Sequence, residues 1–163
     1  PHISVSPGSG PRHVDYHPTL PILYIMNELN GTVDVVESKP DTSFVSVQNI
    51  STLPPGFNGS NKSADIHVHP SGNFLYASNR GDLNSVAAFS VDPVTGKLTL
   101  IEIETASIVW PRNFAIHPQG NFLLVANKDD NSITSFAIDA ESGALSYTGH
   151  KVEVPTPMCI RFL

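Results

Sequence analysis

Arginine, glutamate and histidine gather at three spots in this chain: Arg12 and His13 with Glu28, Asp65 and His67 with Arg80, and Arg112 and Asn113 with Lys128. The planar fork of arginine donates two parallel hydrogen bonds, which suits a carboxylate or a phosphate. A glutamate set among arginines is ionised at neutral pH. It can orient an arginine or act as a weak general base toward water. The imidazoles of His13 and His67 can serve as proton donors. Together these groups suit chemistry on an anionic substrate, with Glu28, Arg12, Arg80 and His67 as the reacting set. Arg112, His13, Lys128 and Asp65 are expected to bind substrate.

Positioning such a set requires a repeat, and one is visible. His-Pro occurs at His17, His69 and His117, and an asparagine follows ten residues after each histidine, at Asn27, Asn79 and Asn127. Each His-Pro lies between two apolar stretches of period-2 character, as in Ile66 and Val68 before Phe74-Leu75-Tyr76-Ala77. Proline fixes φ and a nearby glycine admits φ > 0, so the chain turns there. A further β-rich stretch follows each asparagine: Thr32–Val36, Ser85–Phe89 and Ser132–Phe136. A period of about 50 residues with four short strands marks propeller blades. The blades are expected over 12–49, 64–105 and 111–154, with a single closing strand over 157–163. Residues 50–63, with two prolines and two glycines, are expected as a long loop over the mouth of a site.

The strand directions bring the chemistry together. The His-Pro turn joins the first two strands of a blade at one end. The start of strand one and the end of strand two must therefore meet at the other end. Innermost strands line a propeller channel, so Arg12, His13, Glu28, Asp65, His67, Arg80, Arg112, Asn113 and Lys128 are expected at one mouth. The histidines of His-Pro fall at the opposite end, where a structural role in the turn or the blade contact is expected.

Composition narrows the classes. The 163 residues carry 15% charged and 40% hydrophobic residues, too apolar for disorder. A net charge of −6 argues against nucleic acid and anionic membranes as partners. No apolar run reaches the length of a membrane helix. The single Cys159 rules out an internal disulfide or a multi-cysteine zinc site. No Walker loop, G-x-S-x-G or H-E-x-x-H is present, and we expect neither a cofactor nor a metal.

The stretches GSGPRHVDYHP, ADIHVHPSGNFLYASNRG, PRNFAIHPQGNFLLVANKDDNSI and VEVPTPMCIRF resemble the seven-bladed propeller lactonases, a family that includes propeller-type 6-phosphogluconolactonases and fungal carboxy-muconate cyclases. The resemblance spans nearly the whole chain. It implies an all-β, partial propeller, the C-terminal half of a seven-bladed ring. The missing blades would come from the rest of a longer chain or from self-association. It also implies a metal-free basic cleft, with the family's motif residues falling on Arg12, Glu28 and Arg80 and a further match at Arg112. A histidine proposed as catalytic in the muconate enzymes would fall before Pro1. The function implied is opening of an anionic sugar lactone, 6-phosphogluconolactone first, in the cytoplasm. The runners-up are a muconate-cyclising enzyme and a non-catalytic propeller that binds a protein or polysaccharide.

Overall fold

The computed structural model describes residues 2–162. The chain forms three four-stranded antiparallel sheets in sequence order. The first holds β1 (Pro11–Tyr16), β2 (Ile22–Asn27), β3 (Thr32–Ser38) and β4 (Phe44–Ser51). The second holds β5 (Asn61–Val68), β6 (Phe74–Gly81), β7 (Ser85–Val91) and β8 (Leu98–Glu104). The third holds β9 (Pro111–Ile116), β10 (Phe122–Asn127), β11 (Ser132–Ile138) and β12 (Leu145–Glu153). Three successive four-stranded antiparallel sheets are the expected architecture. The connector between the first two is shorter than expected, since β4 runs on to Ser51 and β5 begins at Asn61.

Blades stack face to face through apolar side chains. Tyr24, Met26, Val33 and Val35 of the first pack against Ile66, Leu75, Ala77 and Phe89 of the second. Tyr76, Val86 and Ala88 then pack against Phe114, Leu123, Val125 and Phe136 of the third. Each buried tyrosine needs a partner for its hydroxyl. Tyr24 donates to the Gly96 carbonyl of the next blade at 2.9 Å, and Tyr76 to that of Gly143 at 2.9 Å.

Two of the His-Pro histidines, His17 and His69, are latches between blades. Each ring takes backbone N–H bonds on Nδ1, from Leu20 at 2.9 Å for His17 and from Ser71 at 3.1 Å for His69. That leaves the proton on Nε2. His17 Nε2 donates to the Gly72 carbonyl at 3.0 Å, and His69 Nε2 to that of Gly120 at 2.8 Å. His117 accepts from Gln119 in the same way, and its ring meets Phe162 edge-on. The repeated asparagines are buried brackets: Asn79 holds Thr52 and Ser85, and Asn127 holds Ser107, Val109 and Thr134.

The closing segment differs from expectation. Residues 157–162 form no ladder with any strand of this chain, and Leu163 lies outside the described residues. The segment is fixed instead by a hydrogen bond from Ile160 N to Asn113 Oδ1 at 2.7 Å.

Candidate active site

β1, β5 and β9 are the innermost strands, and each carries an irregularity near its start. Pro11 pairs with Asn27, but His13 pairs with Met26, so Arg12 is one residue too many for its partner strand. Arg112 is the extra residue in the third blade, between Pro111↔Asn127 and Asn113↔Ala126. In the second blade the extra residue falls between Ser63 and Ile66. Such a bulge turns side chains that would alternate toward the same side. Arg12 and His13 are thereby neighbours, with Arg12 Nη1 donating to His13 Nε2 at 3.0 Å.

Glu28, the residue after β2, is held by arginines from two blades. Arg80 Nη2 donates to its Oε1 at 2.9 Å, and Arg12 Nε lies 3.4 Å from its Oε2. Arg80 is only 3% exposed, and its Nε also donates to the Lys62 carbonyl at 3.2 Å. Burial, and then the nearby charges of Arg12 and Arg112, lower its pKa, while Glu28 opposes them. Arg80 thus orients Glu28 and does not meet the cleft.

A second carboxylate sits deeper. Asp65 is 2% exposed and accepts from all three blades. His13 Nδ1 donates to its Oδ1 at 2.6 Å, and His67 Nε2 to its Oδ2 at 3.1 Å. Asn113 Nδ2 and the Phe114 N–H complete its Oδ2 shell, and Ile66 N donates to Oδ1 at 3.1 Å. Since a guanidinium can only donate, His13 accepts on Nε2 and carries its proton on Nδ1. Burial would raise the Asp65 carboxyl, but the bonds and charges of His67 and His13 outweigh it and hold the pKa at about 2. His67 moves the other way. Burial works against its charge, yet the bond to Asp65 and the charges of Asp65 and Asp15 raise its pKa, with Arg161 opposing.

Arg12, His13, Asp65 and His67 border a cleft of about 640 Å³, whose wall also carries Arg112, Asn113 and Arg161, while Glu28 and Arg80 stand behind Arg12 and do not line it. Arg112 and Arg161 form no ion pair among the described residues, so two guanidinium groups face the cleft free to bind an anion. An unbroken series of contacts runs from Glu28 through Arg12, His13 and Asp65 to His67 and Asn113.

Sequence reasoning therefore brings together Arg12, His13, Glu28, Asp65, His67, Arg80 and Arg112. Asp65 lines the cleft, where its carboxylate accepts from five donors and holds both imidazoles. Two expected placements differ in the structure. Lys128 does not line the cleft: it begins a 3-10 turn over Lys128–Asp130, and its ammonium pairs with Asp129 at 2.5 Å. No residue of the connector after Ser51 lines the cleft, and Thr52 is buried against Asn79 at 2.8 Å. Arg161 was missed. Its only sequence signal is a lone cation in the apolar closing segment.

A family model described as lactonase, 7-bladed β-propeller, matches residues 1–162. The chain is 35% identical over 161 residues to a Bacillus subtilis protein named 6-phosphogluconolactonase, covering 98% of this chain and 46% of that one. A Formosa agariphila protein of the same name is 43% identical over 145 residues, or 88% of this chain and 40% of its own. The solved periplasmic gluconolactonase of Pseudomonas aeruginosa superposes with a TM-score of 0.94 at 35% identity, over 99% of this chain and 44% of the other. The chain thus spans less than half the length of these relatives.

Proposed function

This chain belongs to the seven-bladed β-propeller lactonase family, and from that premise we propose that the full protein carrying it hydrolyses 6-phosphogluconolactone to 6-phosphogluconate. The observation that carries the reading is a cleft with two unpaired guanidinium groups, Arg112 and Arg161, whose wall residue Arg12 joins it to the Glu28 carboxylate that Arg80 grips from behind. The names of the Bacillus and Formosa relatives support the same substrate.

In this mechanism Glu28 accepts a proton from water as the water oxygen attacks the lactone carbonyl. The carbonyl oxygen becomes an oxyanion, stabilised by Arg12 and Arg112 on the cleft wall. The bond from carbonyl carbon to ring oxygen then breaks. His67, whose pKa the Asp65 carboxylate raises, gives a proton to the departing ring oxygen. Arg161 and Arg112 bind the phosphate of the substrate. The remaining blades come from the rest of a longer chain, and the work is cytoplasmic, since a charged phosphate ester does not cross a bilayer unaided. No helix among the described residues is long and apolar enough to cross a membrane.

The test is lactone opening by the full-length protein, coupled to dehydrogenase consumption of the product and corrected for the spontaneous rate. Glu28→Gln should lower turnover by about a hundredfold or more while KM changes little. Equal rates for variant and wild type would remove Glu28 from the mechanism.

A further inference from the structure

Trp110 occupies a position that glycine suits better. The repeat aligns Gly10-Pro11-Arg12 with Trp110-Pro111-Arg112. Gly10 has φ +66° and Trp110 has φ +52°, both in the left-handed region. Glycine enters that region freely, whereas a bulky side chain there is strained. Ser107, three residues earlier, is also left-handed at φ +54°.

The surrounding contacts hold this strained loop in place. Fully buried Asn127 accepts from Val109 N at 2.9 Å and donates to the Ser107 carbonyl at 3.3 Å. Thr134 Oγ1 donates to the same carbonyl at 3.2 Å. The next residue, Pro111, starts β9. The outcome is that the indole stands against the Arg80 guanidinium, whose carbon is 5.8 Å from the ring centroid. Arg80 is the buried cation that grips Glu28.

Strain that the surroundings enforce is concentrated at functional sites. We infer that Trp110 is a positioning residue of the active site: its indole backs the Arg80 guanidinium and keeps Arg80 locked on Glu28. The inference rests on the reading of Glu28 as the base. Removing the ring opens a space beside Arg80, which lets the guanidinium rotate off Glu28 toward water. Because Arg80 does not face the cleft, the loss falls on turnover and not on substrate affinity. A glycine at 110 fits the backbone, as Gly10 does at the matching place, so the variant keeps its fold.

The experiment uses the full-length protein with Trp110→Gly and Trp110→Phe. Trp110→Gly should lower kcat about tenfold, the scale of a desolvated cation–π contact, with KM within about twofold and a melting temperature close to wild type. Trp110→Phe keeps a ring over the guanidinium and should recover most of the rate. An unchanged kcat in Trp110→Gly overturns the inference, as does a Phe variant as slow as the Gly variant. A second readout is independent of turnover. Trp110 is the single tryptophan of these 163 residues, so the emission of wild type minus that of Trp110→Phe reports on it alone. That difference spectrum should shift in Arg80→Ala. An unmoved spectrum means that no working contact exists, whatever the substrate. Loss of all lactone turnover in wild type with a shifted spectrum refutes the substrate and leaves the Trp110–Arg80 contact standing.

Discussion

Asp65→Asn removes the charge at the centre of the cluster while keeping the shape of the side chain. A carboxyl lowered from an ordinary value near 3.8 to about 2 prefers its charged form by about 2.5 kcal/mol, at about 1.4 kcal/mol per pH unit. Asp65 is 2% exposed, so solvent screens this little. A depressed folded value contributes stability that is present above the unfolded value of about 4 and is lost as pH falls toward 2. His67 has the opposite sense. Its raised folded value contributes stability that is complete below about 6.5 and is lost as pH rises through that folded value. The advantage of wild type over Asp65→Asn should therefore be largest between about pH 4 and 6.5, near 2.5 kcal/mol, and should shrink on both sides. Denaturant unfolding of the full-length pair across pH 2–9 measures it, and the NMR titration of His67 should move to lower pH in the variant. A difference that is flat with pH, or below about 0.5 kcal/mol at its largest, would refute the assignment of Asp65 as the charge that holds both imidazoles.

Three further outcomes are expected. Arg161→Ala should raise KM for 6-phosphogluconolactone by about tenfold or more while sparing the unphosphorylated gluconolactone, read from paired saturation curves. His69→Ala should cost about 1 kcal/mol in denaturant unfolding by losing its bond to the Gly120 carbonyl, with kcat unchanged because the latch lies at the far end of the blades. Gly96→Ala should cost about 2 kcal/mol or more, since φ is +68° there and the new methyl would stand 2.7 Å from Ile22 Cγ1; an unchanged unfolding midpoint would show that the blade contact yields easily.

The blades were legible because His-Pro and the asparagine ten residues later recur in all three copies, and the turn between them fixes which strand ends meet. That reasoning alone gathers Arg12, Glu28 and Arg80. The bulges were not legible. A one-residue offset has no composition of its own, yet it is what puts Arg12 beside His13. Lys128 occupied a repeat-equivalent position, but the neighbouring Asp129 and the 3-10 turn divert its ammonium, a local competition that repeat symmetry does not encode. Asp65 reads as an exposed strand residue by alternation. Its burial follows only from donors on two other blades. Arg161 reaches the cleft through one hydrogen bond between Ile160 and Asn113, a long-range contact with no periodic signal.

The histidine latch has a direction. At both joints of the described residues a ring N–H of one blade reaches forward to a turn carbonyl of the next, so the middle blade is acceptor at one side and donor at the other. An interface of this head-to-tail kind looks the same at every joint. A gene segment of about 50 codons copied in tandem would arrive with both halves of the joint already made, needing no new complementary surface. Growth of the ring by duplication is thus written into the position of one imidazole, and the count of blades is set by the angle at which the last joint meets the first.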